Sequence, residues 1–237
     1  MDYKQTIIWK KLSKIRRKFF LPFRIDGRGE RVEIDANNLP TFAEMNIYQK
    51  SHIKRYEFAQ QHLHKEDSCA DLACGTGYGT VIMSKKCKHV TGVDVDKRVI
   101  KKIKSKYKDN KNVSFVHKNL LKLKTKEIFD SIVSFETIEH LQECDIPKLF
   151  SIFNRSLKPK GALVFSTPYK QEATKNALEA GFHLTFGIDE TKINEWLKKS
   201  GFTPAKFYYQ NYSTHTIGSF DQTEPKDFII ATTKKQP

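Results

Sequence analysis

The stretch Ser68-Cys-Ala-Asp-Leu-Ala-Cys-Gly-Thr-Gly-Tyr-Gly-Thr80 decides the fold expected of this chain. A short apolar run ends here in three glycines at every second position: Gly75, Gly77 and Gly79. Glycine takes positive φ readily and lets the backbone approach a ligand closely. A strand, this loop and a helix over residues 80–85 form the arrangement that holds a nucleotide-like cofactor at the carboxyl end of a strand.

The glycine spacing and one carboxylate separate two kinds of cofactor. Dinucleotide folds use G-x-G-x-x-G, with the pyrophosphate at the helix N-terminus. Here the spacing is G-x-G-x-G, and Asp71 precedes the loop. A carboxylate at this position suits a cationic group or an amino group and repels a diphosphate. The remaining alternative is a tight structural turn in an unrelated α/β protein.

The stretch resembles motif I of the class I S-adenosylmethionine-dependent methyltransferases, and the resemblance extends over roughly residues 45–232. It is most similar to the methyltransferases of bacterial glycan and polysaccharide pathways. The stretches that carry this likeness are H-x-x-R-Y-x-F-A at residues 52–59, A-C-G-x-G-Y-G at residues 73–79 and E-T-I-E-H-L at residues 136–141. The family implies a Rossmann-like α/β fold: a seven-stranded, mostly parallel sheet with an antiparallel last strand.

Asp94 closes the apolar run of residues 89–94, at the distance past the loop where a carboxylate accepts both ribose hydroxyls. Asn119 stands where the family usually has an aspartate that accepts from the adenine amino group, and an amide oxygen also accepts. Arg55 and Tyr56 either contact the methionine carboxylate or only cap the sheet edge. The cofactor-binding residues that the resemblance implies are Asp71, Ala73, Gly75, Gly77, Asp94, Val95, Asn119, Leu120, Phe135, Arg55 and Tyr56.

Catalytic residues are expected after the strand of residues 129–135, whose carboxyl end faces the methyl group in this family. Glu136, Glu139 and His140 match the family motif E-x-x-E-H, which also occurs in small-RNA 2′-O-methyltransferases, where these side chains and a second histidine hold a divalent metal. His183 is the matching fourth ligand for Mg²⁺ or Mn²⁺. His140 is also the candidate general base. Alternatively, Glu139 hydrogen-bonds a loop and His140 lines the pocket.

The other elements follow from hydrophobic periodicity and turn signals. We expect helices over residues 42–64, 97–108, 146–157 and 190–200. Strands are expected over residues 113–119, 162–168, 207–212 and 227–233, with a turn at 158–161. Residues 169–188 are predicted to form an insertion or lid that includes His183, and His215 is predicted to lie in a surface loop.

Composition predicts a soluble cytoplasmic protein. The hydrophobic content is 38%, the mean hydropathy is −0.58, and no apolar run approaches the length of a membrane span. No secretory signal is visible, because lysines and arginines interrupt the N-terminal apolar positions. The four cysteines (Cys69, Cys74, Cys87 and Cys144) show no C-x-x-C spacing, which indicates reduced thiols.

The net charge of +15 is concentrated near the N-terminus, where residues 1–24 carry a net +7. Residues 3–21 are predicted to form a basic amphipathic helix, and residues 24–40 an irregular linker. The helix is suited to an anionic membrane surface or a lipid-linked substrate, to nucleic acid, or to packing on its own domain. We therefore predict an N-terminal extension of residues 1–40 and a methyltransferase domain of residues 41–237. The inner face of the membrane is one predicted location of the protein.

The function predicted from the resemblance is O-methylation of a sugar in surface polysaccharide or glycan biosynthesis, with S-adenosylmethionine as cofactor. Its acceptor would be a saccharide or a lipid-linked glycan. The alternative enzyme is a metal-dependent RNA 2′-O-methyltransferase, favoured by the net charge of +15. It is disfavoured because the sequence has no platform of interleaved aromatic residues. A catalytically silent cofactor-binding protein is the alternative from another class.

Overall fold

A computed structural model describes residues 31–219 and 225–236. The strands are β1 Ser68–Leu72, β2 His89–Asp94, β3 Val113–His117, β4 Phe129–Phe135, β5 Leu157–Pro168, β6 Lys206–Gln210, β7 Ile217–Gly218 and β8 Phe228–Lys234. The helices are α1 Ile47–Gln60, α2 Tyr78–Ser84, α3 Lys97–Lys106, α4 Ile146–Ser156, α5 Lys175–Ala180 and α6 Glu190–Lys199. The helix predicted for residues 3–21 lies outside the described residues and stays a prediction.

The strands form one sheet in the order β3-β2-β1-β4-β5-β8-β6-β7. Strands β1 to β5 are parallel, and β8 is antiparallel to both of its neighbours. This arrangement confirms the predicted class I fold and its antiparallel last strand. The count of seven strands was one short, because β7 pairs with β6 through only two residues and is too short to show a period.

Helices cover both faces of the sheet. The core on one face joins side chains of α1, α2 and α3, among them Ile53, Val81 and Ile103. The core on the other face joins α4 and α6 through Phe150, Phe153 and Trp196. Because helices cover both faces of the sheet, residues 69–72 of β1 and 131–135 of β4 are buried in succession, without the alternation of a strand that has one face in solvent.

Helix α1 is shorter at both ends than the predicted span of residues 42–64. It begins at Ile47 because Asn46 and Gln49 form a capping box, in which each side chain accepts from the backbone N–H of the other at 2.9 Å. Before the cap, Thr41 and Glu44 close a separate turn that leaves Phe42 exposed. The capping box therefore fixes the start of α1, although the apolar pattern predicts that the helix begins at residue 42.

Two other predicted boundaries were wrong. Strand β5 already begins at Leu157, and the expected turn at 158–161 is an irregularity within the strand, with Lys160 at a φ of +62°. Strand β3 ends at His117 instead of residue 119, because Asn119 caps a short 3-10 turn, Leu120–Lys122. The predicted insertion of residues 169–188 contains the short helix α5.

Residues 31–36 of the predicted linker pack against the domain. Ile34 and Ala36 are buried in its core, and the Val32 carbonyl accepts a hydrogen bond from the Thr76 hydroxyl of the glycine loop at 2.9 Å. We call residues 31–36 the strap. Among the residues described, no helix combines the length and the apolar character needed to span a bilayer.

Candidate active site

The predicted site residues gather at the carboxyl ends of β2, β1 and β4, which are neighbours in the sheet. The glycine loop follows β1, Asp94 ends β2, and Glu136 follows β4. Parallel strands place these ends at one edge, where open α/β sheets bind their ligands. The topology therefore brings together three stretches that are separate in the sequence.

Three residues of the loop have left-handed backbone conformations. Ala73, Gly75 and Gly77 have φ values of +67°, +51° and +77°. The N–H groups of Ala73 and Cys74 both donate to the Val93 carbonyl, at 2.8 and 3.0 Å, which ties the loop to β2. Alanine rarely adopts a left-handed conformation, so these bonds hold Ala73 where glycine would fit without strain.

Two glycines of the loop, Gly75 and Gly79, serve different purposes. A Cβ at Gly75 would meet nothing within 4 Å, so this residue faces open space at the sheet edge. A Cβ at Gly79 would lie 1.9 Å from the Tyr56 ring. Gly79 therefore provides space for α1 to pack on α2, whereas Gly75 is placed to let the backbone approach a ligand.

Asp71 is buried and anchors two helices to β1. Its carboxylate accepts from the Tyr56 hydroxyl at 3.2 Å and from the Thr80 hydroxyl at 2.7 Å. Burial raises the pKa of Asp71 to about 6, although both hydrogen bonds favour the ionised form. Asp71 thus lies in the predicted place but contacts protein groups from α1 and α2.

We expect the stability of the protein to fall as pH rises from about 4 to about 6 through Asp71. Because burial raises its folded pKa to about 6 from an ordinary 3.8, the folded state binds more protons than the unfolded chain in this window. The difference is worth about 3 kcal/mol. Urea titrations at a series of pH values would measure the free energy of unfolding of Asp71→Asn and of the unmodified protein. The value for Asp71→Asn minus the value for the unmodified protein should rise by about 3 kcal/mol as pH is raised from about 4 to about 7. A difference that does not change with pH would contradict this assignment.

Asp94, the predicted ribose ligand, is buried at the end of β2. One carboxylate oxygen accepts from the Gly75 N–H at 3.0 Å, and the other from the Asp96 N–H at 2.9 Å. Asp96 caps α3, because its side chain accepts from the Arg98 and Val99 N–H groups. The carboxylate is thus oriented at the glycine loop by backbone donors.

Arg31 of the strap contacts the predicted ribose ligand Asp94, a contact that sequence reasoning missed. Its guanidinium lies 3.4 Å from Asp94 and 2.9 Å from Asp96, and the side chain is 26% exposed. The strap thereby closes the ribose end of the predicted cofactor site. No local sequence pattern predicts this contact, because Arg31 and Asp94 are 63 positions apart.

Four further residues predicted to bind the cofactor lie at or just after the ends of β2, β3 and β4, and Asn119 is the one predicted to accept from adenine. Val95 is 57% exposed, and its carbonyl contacts the His117 ring nitrogen at 3.0 Å, which joins the ends of β2 and β3. The Asn119 side-chain oxygen accepts from the Leu121 N–H at 2.9 Å. Phe135 is buried against Tyr56, and Leu120 is half-buried. The predicted contacts of these residues with the cofactor stay predictions.

The H-x-x-R-Y-x-F-A stretch fastens α1 across the site edge. His52 contacts the Tyr78 hydroxyl of the glycine loop at 2.6 Å, and Tyr56 donates to Asp71. Phe58 packs edge-on against Tyr208 of β6, at 4.8 Å between ring centres. The motif residues thus reach three parts of the sheet.

Arg55 is fully buried, which is rare for a guanidinium. Its nearest counter-charge is Glu136, at 3.5 Å, and its guanidinium lies over the Phe228 ring, at 4.4 Å from the ring centre. Within the described residues, its side-chain nitrogens have no hydrogen-bond partner. Glu136 also accepts from the Ser166 hydroxyl at 2.6 Å and has a φ of +50°. Glu136 therefore serves as the counter-ion of Arg55.

Glu136→Gln is expected to lower the free energy of unfolding by about 2 kcal/mol, because it leaves the buried Arg55 without a counter-charge. The Glu136 side chain is 19% exposed, which moderates the loss. Chemical denaturation would measure it. The matched control is Glu143→Gln, which breaks a surface ion pair with Lys192 and should change stability by less than about 0.5 kcal/mol. Equal losses in the two variants would show that the Arg55–Glu136 contact is dispensable.

Three of the four predicted metal ligands converge. Ligand atoms of Glu139, His140 and His183 all lie within 4.8 Å of one another. The Nδ1 atoms of His140 and His183 lie 3.0 Å from the Phe182 carbonyl and 2.5 Å from the Gln171 amide oxygen. The structure does not bring Glu136 into this group, because its carboxylate faces Arg55 and Ser166.

Glu139 is fixed by its surroundings. Its side chain accepts from the Thr167 hydroxyl of β5 at 3.0 Å, and its backbone carbonyl accepts from Leu184 and Thr185 of the insertion. His140 Nε2 lies 3.8 Å from the Glu139 carboxylate. These contacts join the end of β4 to the segment that carries His183.

His215 does not lie in an exposed loop, contrary to the prediction. It is buried, and its ring contacts the Ser51 hydroxyl of α1 at 3.1 Å. The loop between β6 and β7 therefore packs against α1 through His215. Polar composition alone gave no sign of this contact.

Comparison with known proteins agrees with this geometry. Residues 69–161 match the family model described as "Methyltransferase domain". The chain is 28% identical over 137 residues to a malonyl-[acyl-carrier protein] O-methyltransferase of Priestia megaterium, covering 55% of this chain and 48% of the relative. It is 26% identical over 156 residues to a phosphoethanolamine N-methyltransferase of Plasmodium falciparum, covering 56% and 58%. The chain thus spans about half the length of these curated relatives.

A solved structure shows the fold over almost the whole chain. The N-methyltransferase NodS from Bradyrhizobium japonicum, in complex with S-adenosyl-L-homocysteine, superimposes with a TM-score of 0.62 at 18% identity. The alignment covers 97% of this chain and 99% of that one. Residues 69–161 are therefore similar to the methyltransferase-domain family, and the chain shares the fold of this solved methyltransferase, which agrees with the class I fold predicted from the sequence.

Proposed function

We propose that this chain transfers a methyl group from S-adenosylmethionine to a sugar hydroxyl in surface polysaccharide or glycan biosynthesis. The observation that carries the proposal is the position of Glu139 and His140 after β4, the neighbour of the strand that leads into the glycine loop. A base at this place would accept the proton of an acceptor hydroxyl held against the bound cofactor. A lipid-linked acceptor, reached through residues 3–21 at the membrane, belongs to the same proposal.

The chemistry is an in-line displacement. The acceptor oxygen attacks the sulfonium methyl carbon, the carbon–sulfur bond breaks, and its electron pair stays on sulfur as S-adenosylhomocysteine leaves. The hydroxyl proton passes to His140 Nε2, since an imidazole that donates Nδ1–H to a carbonyl carries its lone pair on Nε2. The principal contribution of the protein is alignment of oxygen, methyl and sulfur.

The acceptor class rests on the motifs of residues 52–59, 73–79 and 136–141. The two curated relatives are named for an O-methyltransferase and an N-methyltransferase. Both names support transfer to a nucleophilic heteroatom. The half-exposed ring of His140, with 37% of the side chain accessible, supports an acceptor whose proton must be removed.

The test has two stages. S-adenosylhomocysteine binding is first measured by isothermal titration, and release of S-adenosylhomocysteine from S-adenosylmethionine is then followed with a panel of nucleotide sugars and lipid-linked sugars. Turnover should require a sugar and fall about 100-fold or more in His140→Ala, while cofactor affinity is retained. Binding without turnover on any sugar would contradict the proposed acceptor. It would favour either another acceptor or the catalytically silent binding protein.

RNA 2′-O-methylation is the second candidate, and the convergence of Glu139, His140 and His183 favours it. Two imidazoles and a carboxylate fit a divalent ion, and both rings are held through Nδ1 by carbonyl oxygens, as is typical of histidine ligands. A bound Mg²⁺ or Mn²⁺ would lower the pKa of the acceptor hydroxyl. Turnover on short RNA that EDTA abolishes and Mn²⁺ restores would establish this candidate. Sugar turnover that is unaffected by EDTA would exclude a role for the metal.

A further inference from the structure

The segment with the greatest concentration of positive charge in the chain includes a helix face that the proposed function does not use. Residues 97–126 hold eleven lysines and Arg98, and Asp109 is their only carboxylate, a net charge of +11. The segment comprises α3, the edge strand β3 and the chain that leads to β4. It exceeds the net +7 of residues 1–24.

Two sides of α3 are accounted for by the fold. Ile100 and Ile103 face the core. Lys102 lies 3.2 Å from Glu33, and Lys106 lies 3.5 Å from Asp35, so this second side pairs with the strap. These contacts hold residues 31–36 in place and leave the third side of the helix to be explained.

The third side is a row of lysines that we call the lysine face: Lys97, Lys101, Lys104 and Lys108. The spacing of four and three positions places Lys97, Lys101 and Lys104 on one stripe of α3, about 10 Å long at 1.5 Å per residue, and Lys108 lies in the turn that follows the end of the helix at Lys106. All four are exposed, and none forms an ion pair with any residue in the described ranges.

Helix stability explains only part of the lysine face: Lys104 stands in the last turn of α3, where the helix dipole favours a cation, but Lys97 and Lys101 have no such role. Lys97 stands in the first turn of α3, where the helix dipole disfavours a cation. Lys97 and Lys101 are four positions apart, a spacing at which like charges destabilise a helix. The stripe is therefore kept at a small cost to folding, as expected when an external partner supplies the negative charge.

The lysine face adjoins the open edge of the sheet. Lys104 and Lys108 line a hollow of about 360 Å³ together with Val113 and Phe115 of β3. Lysines beside an edge strand also discourage pairing with other chains. Protection of the edge is therefore the alternative that an experiment must separate from binding.

We propose that the lysine face binds an anionic lipid surface. Lysines near such a surface are attracted additively, without a shaped pocket. Nucleic-acid sites add arginine forks and exposed aromatic rings, and here the four charges are all lysine, while Tyr107 and Phe115 beside them are buried. This surface belongs to the described domain and is distinct from residues 3–21.

The test uses the full chain and charge reversal. The variant carries Lys97→Glu, Lys101→Glu, Lys104→Glu and Lys108→Glu, which keeps good helix formers on α3. The matched control carries Lys148→Glu, Lys175→Glu, Lys198→Glu and Lys199→Glu, the same change of charge at exposed positions on α4, α5 and α6. Each protein is sedimented with vesicles of phosphatidylcholine alone or with phosphatidylglycerol, at low and high salt, and its oligomeric state is measured.

The unmodified protein should bind only vesicles that contain phosphatidylglycerol, and high salt should weaken binding. Reversal of the lysine face should lower the partition coefficient at least about 30-fold, and by several-fold more than the control does. Equal binding of variant and control would overturn the proposal, and association of the variant into oligomers would then identify edge protection as the role. Loss of binding to single-stranded RNA, with vesicle binding unchanged, would instead assign the surface to nucleic acid.

Discussion

Asp94→Ala is expected to weaken S-adenosylhomocysteine binding by about 100-fold or more. The carboxylate is oriented by the Gly75 and Asp96 N–H groups at 3.0 and 2.9 Å, and the proposed site places both ribose hydroxyls on it. Two hydrogen bonds to a charged acceptor are worth about 1.5–3 kcal/mol each, and 1.4 kcal/mol corresponds to tenfold in affinity. Isothermal titration measures the change.

The matched control for this prediction is Asp130→Ala. Asp130 begins β4 at the opposite end of the sheet, where it accepts from Lys158 at 2.8 Å and from the Ser68 N–H at 2.9 Å. Its loss should lower stability without changing affinity by more than about twofold. If Asp94→Ala remained folded and bound as tightly as Asp130→Ala, the ribose assignment would be wrong.

Gly79→Ala is expected to lower the free energy of unfolding by about 3 kcal/mol, at the upper end of the range for overpacking. The added Cβ would lie 1.9 Å from the Tyr56 ring, and the ring is held by Asp71, Tyr78 and Phe135. Helix α1 or α2 must therefore shift. Denaturant titration, with circular dichroism to follow unfolding, measures the loss.

A double-mutant cycle separates the clash from other effects. In a Tyr56→Ala background the space is vacated, and Gly79→Ala should then be neutral or stabilising, by up to about 1 kcal/mol, because alanine is the better helix former. Gly75→Ala is the comparison within the loop: nothing lies within 4 Å, so only its φ of +51° costs about 1 kcal/mol. Equal losses at Gly75 and Gly79, or no coupling with Tyr56, would refute the packing role.

Local sequence determined most of the architecture. The glycine loop, the apolar runs of β1, β2 and β4 and the starts of α3 and α6 could be located because each depends on residues close together in the chain. The boundary errors have the same explanation. Helix α1 starts at Ile47 because a capping box outweighs an apolar pattern, and β7 is too short to show a period.

The functional site was predictable in part. A carboxylate at the end of β2 and an E-x-x-E-H motif after β4 can be located from sequence order alone. The structure also brings His140 and His183 together, which the sequence could only suggest through resemblance. It directs Glu136 to Arg55 and away from Glu139, and Glu136 itself has a left-handed backbone conformation directly after β4, with a φ of +50°.

The sequence by itself determined the order of elements, the glycine loop and the residues at the strand ends, because hydrophobic period, capping and turn chemistry act over a few residues. Tertiary structure alone decided which partners those residues have. Arg31 reaches Asp94 across 63 positions, and Tyr56 both fills the space beside Gly79 and donates to Asp71. Such contacts depend on strand order and helix packing. These are determined by the burial of apolar residues from the whole chain, so the residue types at the contacting positions do not predict them.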